Sequence, residues 1–280
     1  MAEVKTYEPD NSLKKGYLQI FREIGQEVRA NKWLIYQLFR RDFLTGYRQS
    51  FFGLLWAFII PIVSVVTFLI LNQSGLFNLG TVNVPYPVYA LFGLAFWQLF
   101  STGIIAGTNS LTSAGYIISK INFSKKALVI ASMGKTMVAF IIQLALAFVS
   151  FAVYVFAPKF WIFLVPVFMI PFILLTLGLG FILSILNGII RDFGTLLPVL
   201  TTFLLFATPV MYAKPIVGPL AVITRFNPLY YLIAVPRDLI LFGSSSEWVG
   251  FAFSTALAIV VFVVSLIVFH LTETRLAERI

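Results

Sequence analysis

Cysteine is absent from this chain of 280 residues, and His270 is its one histidine. Without cysteine there are no disulfides, no thiolate chemistry and no cysteine-ligated metal sites. A lone histidine argues against a histidine-ligated metal site, and no cluster of carboxylates with histidine, or Ser/His/Asp set, indicates a membrane enzyme. We therefore expect no catalytic centre, no metal site and no cofactor bound by this chain itself.

Charge is also scarce, at 11% of the residues, whereas hydrophobic residues make up 60%. The 71 residues from Gln49 to Ser119 include no Asp, Glu, Lys or Arg. Since one helical pass needs about 20 mostly apolar residues, this run is long enough for two passes. The mean hydropathy of the whole chain is +0.95. Together with the uncharged run, this value predicts an integral membrane protein. The polar N-terminal region lacks an apolar core, so we expect no signal peptide.

Turn signals divide the apolar runs into six predicted transmembrane helices, and the predicted fold class is an all-α membrane protein. The spans are expected at 54–71, 88–110, 136–157, 161–187, 195–212 and 249–271. We take 1–50 as a cytoplasmic N-terminus with an amphipathic helix, and 51–280 as the six-span transmembrane domain.

Two segments do not fit plain spans. Residues 20–45 place apolar side chains among Arg and Lys, a pattern typical of an interface helix along the membrane surface; a soluble cytoplasmic helix is the alternative. The stretch from Lys214 to Trp248 is apolar in short pieces broken by four prolines. It predicts re-entrant or interfacial helices before the last span, because irregular backbone at membrane depth must be covered.

The distribution of basic residues predicts the orientation. The net charge of +9 could suggest nucleic acid, but the basic residues lie at the edges of the apolar runs, so we expect no nucleic-acid partner. With a cytoplasmic N-terminus, 16 of the 20 Lys and Arg fall in cytoplasmic segments; the other four are Lys159, Lys214, Arg225 and Arg237. The positive-inside bias therefore places both termini in the cytoplasm.

The chain shows no internal energy source. No predicted span carries an ionisable residue near its centre, which argues against an ion-coupled carrier, although ion sites built from backbone carbonyls stay open. Gly134-Lys135-Thr136 matches the end of a phosphate-binding loop, but Val129 stands where that motif needs glycine, so we interpret the match as chance. Any energy must come from a partner protein.

Small and aromatic residues within the spans offer weaker signals. Gly103 and Gly107 have the small-xxx-small spacing of close helix packing, either within the chain or at a dimer seam. Flat rings can stack on sugar faces while remaining compatible with an apolar wall, although most intramembrane Phe faces lipid or a neighbouring helix. The candidates for such a wall are Trp56, Trp97, Phe100, Phe203 and Phe206.

Several segments together resemble the permeases of polysaccharide-exporting ABC transporters, which export O-antigen, capsule or teichoic acid. Residues 40–56 resemble the family's approach to its first span, with Phe52 where Leu is usual. Residues 120–124 resemble a cytoplasmic loop of that family, with Ser124 in place of a common Pro. Asn187 with Arg191-Asp192, then 208–212 and 227–230, complete the match in order over residues 33–280.

The resemblance implies a homodimer of six-span subunits with two copies of an ATP-binding subunit, which binds ATP and Mg. The substrate would be an undecaprenyl-linked polysaccharide or teichoic acid in membrane lipid of the bacterial plasma (inner) membrane. The loop expected to dock into the ATPase comprises Ile118, Lys120, Ile121, Asn122, Phe123, Ser124, Lys125 and Lys126. The surface helix before the first span is expected to contribute to that contact.

The resemblance also implies that the lipid phosphate enters near residues 47–56. The expected entrance residues are Tyr47, Arg48, Gly53, Trp56 and Arg191. Arg48 and Arg191 flank the cytoplasmic ends of the first and fifth spans, and a guanidinium suits phosphate oxygens. Each could instead serve topology alone, or pair with Asp42 or Asp192.

Two other functions stay open from the sequence. One is a permease of the same architecture that moves a small lipid or a drug. The other is a non-transport role as a membrane enzyme or scaffold, for which an adjacent gene for an ATP-binding subunit is the discriminating observation.

Overall fold

A computed structural model describes residues 17–48, 51–74, 83–120 and 123–276, and the regular structure of these segments is helical. Short 3₁₀ turns at Gly53–Leu55, Thr112–Ala114 and Phe160–Leu164 connect the longer helices. These longer helices are α1 Tyr17–Ala30, α2 Lys32–Arg48, α3 Trp56–Gln73, α4 Tyr86–Asn109, α5 Gly115–Lys120, α6 Lys126–Val153, α7 Val165–Ile189, α8 Asp192–Ala207, α9 Pro219–Phe226, α10 Pro228–Phe242 and α11 Trp248–Leu276.

Four helical segments within the described residues are long and apolar enough to cross a membrane. They are Tyr86–Asn109, Lys126–Val153, Phe160–Ile189 and Trp248–Glu273. They coincide with the second, third, fourth and sixth predicted spans, and the prediction of an all-α fold is confirmed. Helices α3 and α8 lie at the first and fifth predicted spans, but their apolar segments are shorter. The count of exactly six spans stays a prediction.

Helix α4 lies at the centre of the bundle. It packs along α6 on one side and α7 on another, and α11 packs along α7. Phe96 is fully buried between α6 and α7, with its ring centroid 5.6 Å from that of Phe140 and 6.0 Å from that of Phe172. Tilted and edge-to-face rings at these separations pack favourably.

The small residues of α4 allow close approach within the chain. A Cβ added at Gly107 would lie 3.0 Å from the Cα of Gly180, and one added at Gly103 would lie 2.7 Å from the Thr176 side chain. Both contacts are with α7. Of the two interpretations of this spacing, the structure supports packing inside the chain.

The amphipathic N-terminal segment is two helices rather than one, since α1 and α2 are separated at Asn31. Ile20, Ile24 and Leu38 are buried at one end of the bundle, in a second apolar cluster formed with α5, α6, α7 and α11. Trp33 and Tyr36 remain exposed, at 70% and 54%. The segment therefore covers the bundle end with one face, and its location at a membrane surface stays a prediction.

Two short helices fill the proline-rich segment before α11. The side chain of Asn227 begins α10 by accepting a 3.0 Å hydrogen bond from the Leu229 N–H, and Gly243 ends the helix at φ +84°. These are the residue types that favour a helix start and a left-handed C-terminal turn. Helix α10 is buried against α4, α7 and α11.

Candidate coupling region and substrate path

The loop predicted to dock a partner ends at a buried ionic cluster. Lys126 is fully buried, and its ammonium contacts carboxylate oxygens of Glu27 in α1, at 2.8 Å, and of Glu273 in α11. The backbone N–H of Lys125 donates to the same Glu273 side chain. Nδ1 of His270 lies 3.8 Å from Glu27 Oε2, and its Nε2 lies 3.9 Å from Glu23 Oε2. The end of the loop is thus tied to the first and last helices.

Several side chains of the predicted docking loop are buried or half-buried against the bundle. Ile118 is buried in the second apolar cluster, and Phe123 packs partly against it. Ser124 is half-buried near Glu27, and its hydroxyl lies 3.5 Å from Oε2. The side chain of Lys120, and the residues Ile121 and Asn122, lie outside the described residues. The Lys126 ammonium holds the ionic cluster together, and its role in docking stays a prediction.

Glu27, His270 and Glu273 bring their ligand atoms within 4.8 Å of one another, a spacing compatible with a metal ion. The Lys126 ammonium already lies against both carboxylates, where a cation would sit. A buried cation next to a metal would oppose its binding. We therefore interpret the group as an ionic cluster that links three helices.

Asn187 connects the neighbouring ends of three predicted spans. Its buried side-chain amide donates to the Thr108 carbonyl at 3.2 Å and to Asn109 Oδ1 at 3.2 Å, both at the end of α4. Its Oδ1 accepts from the N–H of Gly194 at 2.8 Å, in the first turn of α8. A Cβ on Gly194 would lie 2.5 Å from Asn109 Oδ1, so glycine allows this approach. The sequence motif containing Asn187 thus has a structural role that sequence reasoning did not assign.

The predicted entrance residues have different settings. Arg191 is exposed at the beginning of α8, and among the described residues it has no carboxylate partner, so the pairing with Asp192 is not made. Asp42 pairs with Arg41 at 2.7 Å. Gly53 has a positive φ of 47°, which favours glycine.

Trp56, also predicted for the entrance, is 45% exposed, with its ring edge-on to Phe52 at 5.5 Å. The side chains of Tyr47 and Arg48 lie outside the part of the chain that the structure describes. Exposed Trp56 and Arg191 are therefore available to a ligand.

The structure does not bring the five predicted wall aromatics together. Trp97 and Phe100 are buried in the main core, at 4% and 2% exposure, and Phe100 packs against Phe172 of α7. Phe203 on α8 is 69% exposed, and Phe206, at 48%, stacks on Phe68 of α3 at 6.3 Å. Of these five rings, those on α3 and α8 face outward in this conformation.

A buried arginine of α10 contacts residues 208–212 at the opposite end of the bundle. Arg237 of α10 donates to the carbonyls of Pro209 and Val210, at 3.3 and 3.2 Å, and its guanidinium lies 3.9 Å from the Tyr89 ring centroid. It also contacts Asp238 at 3.2 Å; burial raises the pKa of that carboxyl, and the guanidinium opposes the rise. Sequence reasoning counted Arg237 only for topology, although a lone arginine in an apolar helix was a signal.

A second bond fixes the same loop. The amide of Asn227 donates to the Thr208 hydroxyl at 2.7 Å. Residues 208–212 and 227–230, two of the segments that carried the family resemblance, are therefore in direct contact. This contact holds α10 against the chain that leaves α8.

Comparison with known families decides the classification. A family model described as ABC-2 type transporter matches residues 34–241, well over half of the chain. The chain belongs to the ABC-2 type transporter family. It is a multi-pass membrane subunit of a transporter rather than an enzyme, and membership implies an ABC transporter with an ATP-binding partner.

Individual relatives agree with this family. An O-antigen export system permease protein RfbA of Myxococcus xanthus is 28% identical over 188 residues, covering 67% of this chain and 71% of the relative. A protein of the same name from Klebsiella pneumoniae is 24% identical over 249 residues, covering 88% of this chain and 94% of the relative. The resemblance to polysaccharide-export permeases inferred from the sequence is confirmed.

Proposed function

We propose that this chain is the transmembrane permease subunit of an ATP-driven exporter that moves a lipid-linked polysaccharide across a bacterial plasma membrane. The observation that carries the proposal is the similarity to O-antigen export permeases over nearly their whole length. The polymer is proposed to be O-antigen, capsule or teichoic acid on an undecaprenyl carrier. In this proposal two permease copies assemble with two ATP-binding subunits, and ATP and Mg bind to those subunits.

The placement of the one phosphate-loop-like sequence supports a separate energy source. Gly134-Lys135-Thr136 lies inside α6, which begins eight residues earlier, so no loop precedes it. A Cβ on Gly134 would lie 2.5 Å from the Phe39 ring, which covers this side of the helix. A phosphate cradle needs open backbone N–H groups at the start of a helix. ATP hydrolysis is accordingly assigned to the partner.

Helices α3 and α8 are proposed as the two remaining spans, with both termini cytoplasmic. Their 18 and 16 residues correspond to about 27 and 24 Å of helix, close to a hydrocarbon thickness of about 30 Å. Both expose apolar side chains, among them Ile70 on α3 and Val199 on α8. Such faces suit lipid or the second copy of a homodimer.

The proposed substrate path begins at the cytoplasmic entrance of Tyr47, Arg48, Gly53, Trp56 and Arg191. It continues along the outward rings of α3 and α8, where Phe203 and Phe206 are exposed. Trp97 and Phe100 join this path only if α4 separates from α7 during transport, because both are enclosed in this conformation.

Reconstitution tests the function. The chain and a candidate ATP-binding subunit are co-purified and placed in vesicles containing undecaprenyl-linked polysaccharide. We expect ATP-dependent transfer of polymer across the bilayer and ATPase stimulation by the substrate. Transfer of the carrier lipid without polymer at an equal rate would instead assign a small-lipid permease, and failure to bind any ATP-binding subunit would reject the exporter.

A further inference from the structure

A cavity of about 350 Å³ with a mixed polar and apolar lining lies between α2 and the neighbouring ends of α4 and α6. None of the roles proposed above uses it. Its polar lining residues are Arg41, Asp42 and Thr45 of α2, Asn109 at the end of α4 with Ser110 and Ser113 just after it, and Ser132 and Lys135 of α6. Its volume is at the lower end of the range of small-molecule sites, so it suits one compact group rather than a polymer.

The charges of the cavity favour a monovalent anion. Arg41 is paired with Asp42, through Nε at 2.8 Å and Nη2 at 2.7 Å. This leaves three guanidinium N–H donors, since a guanidinium carries five. Lys135 is exposed and has no carboxylate partner among the described residues. With two cations and one carboxylate, the lining carries a net charge of +1.

The position of Lys135 along its helix fits a membrane boundary. Helix α6 has 28 residues, whereas the hydrocarbon core takes about 20 helical residues. With Val153 at the far boundary, the hydrocarbon ends close to Lys135. The exposed Trp33 and Tyr36 of α2 are the residue types enriched at that depth. Phospholipid phosphates lie at the same level.

We propose that this cavity binds the phosphate of an anionic phospholipid, held by the Lys135 ammonium and the free N–H groups of Arg41. A phosphate diester carries one negative charge, which matches the net charge of the lining. Thr45 and Ser113 supply hydroxyls at the rim; each donates to a backbone carbonyl at 2.8 Å and can turn towards a phosphate oxygen. The bound lipid would fix α2 against α4 and α6.

Lipid retention tests this site without requiring export. The purified chain is placed in nanodiscs with spin-labelled phosphatidylglycerol or phosphatidylcholine, and the immobilised fraction is measured. We expect a preference for phosphatidylglycerol that falls about fivefold in Lys135→Gln, as expected for loss of one cation near the surface. Lys135→Arg should retain it. The matched control is Lys32→Gln, which removes an exposed cation of α2 outside the cavity.

A second variant tests the cavity without changing its charge. Ser113→Trp fills the cavity from an exposed position and should also abolish the preference. Equal loss in Lys32→Gln, or retention in both cavity variants, overturns the proposal. Displacement of the label by undecaprenyl pyrophosphate but not by unlabelled phosphatidylglycerol would assign the site to the substrate. If Lys135→Gln retained the lipid label unchanged but no longer bound the ATP-binding subunit, the cavity would be a contact site for that protein.

Discussion

Lys126 and Glu27 form a 2.8 Å ion pair between the beginning of α6 and helix α1, with the lysine side chain 1% exposed. Glu273 adds a second carboxylate from the end of α11. The proposed docking loop therefore ends on a point shared by three helices. A partner that moved the loop would also move α1 and α11. The Lys126 ammonium cannot separate from Glu27 and Glu273 without leaving charges unpaired.

Removal of the lysine should destabilise the chain strongly. Lys126→Met leaves the buried Glu273 and the partly exposed Glu27 without their cation, and breaking a buried pair typically costs about 3–5 kcal/mol. Thermal unfolding in detergent, followed by tryptophan fluorescence, should show a clear decrease in Tm. Lys125→Gln is the control, since that adjacent buried side chain forms no ion pair among the described residues.

The same cluster allows a compensation test. Adding Glu27→Gln and Glu273→Gln to Lys126→Met removes the uncompensated charges, so much of the lost stability should return. If the triple variant were less stable than Lys126→Met alone, the uncompensated charges would not be the cause of the loss, and the other contacts of the carboxylates, such as the Lys125 N–H, would matter more than this lysine.

The preceding loop residues should control coupling. Asn122→Ala with Phe123→Ala is expected to leave the permease folded but to uncouple ATP hydrolysis from export, as implied by the resemblance of this loop to a docking segment. Both rates are measured in vesicles with the ATP-binding subunit. Tyr154→Ala, exposed at the other end of α6, is the control. Normal coupling in the loop variant would remove the docking role from residues 118–126.

Orientation can be tested because the chain has no native cysteine. We expect an impermeant thiol reagent to label Ser246→Cys in intact cells and to label Ser113→Cys only after permeabilisation. Both positions are exposed, and they lie on opposite sides of the membrane in the proposed topology. Labelling of Ser113→Cys in intact cells would reverse the orientation.

The helices could be predicted because their signal is local. An apolar run of about 20 residues is visible in the sequence itself, and four predicted spans coincide with long apolar helices. No such local signal in the sequence showed which way an individual side chain points. Helix α4 is apolar on all sides, so no periodicity showed that Trp97 points into the core.

The structural roles of polar residues depended on distant partners. Lys126 meets Glu273 across 147 positions, and Asn187 meets Thr108 across 79. Neither partner follows from helical spacing, which links only residues three or four apart. The sequence identified these residues as noteworthy but could not say what they contact.

Arg237 should be sensitive even to a change that keeps its charge. Arg237→Lys loses the stacking on Tyr89 and the paired donation to the Pro209 and Val210 carbonyls. Hydrogen bonds from charged groups contribute about 1.5–3 kcal/mol each, so a loss of about 2–3 kcal/mol in stability is expected. Thermal unfolding measures it, with Arg225→Lys at the exposed end of α9 as control. An unchanged Tm would show that lysine can reach the same carbonyls.

The aromatic side chains can be divided into wall and core by two matched truncations. Phe203→Ala removes a ring that is 69% exposed, so it should slow polymer export while leaving the Tm almost unchanged. Trp97→Ala removes a ring that is 4% exposed and should cost about 3–5 kcal/mol of stability through the cavity it leaves. Export rates in vesicles and thermal unfolding of each variant give the two readouts. Slow export by Trp97→Ala at an unchanged Tm would instead place that ring on the substrate path and require α4 to separate from α7. Normal export by Phe203→Ala would show that the outward face of α8 is not part of the path.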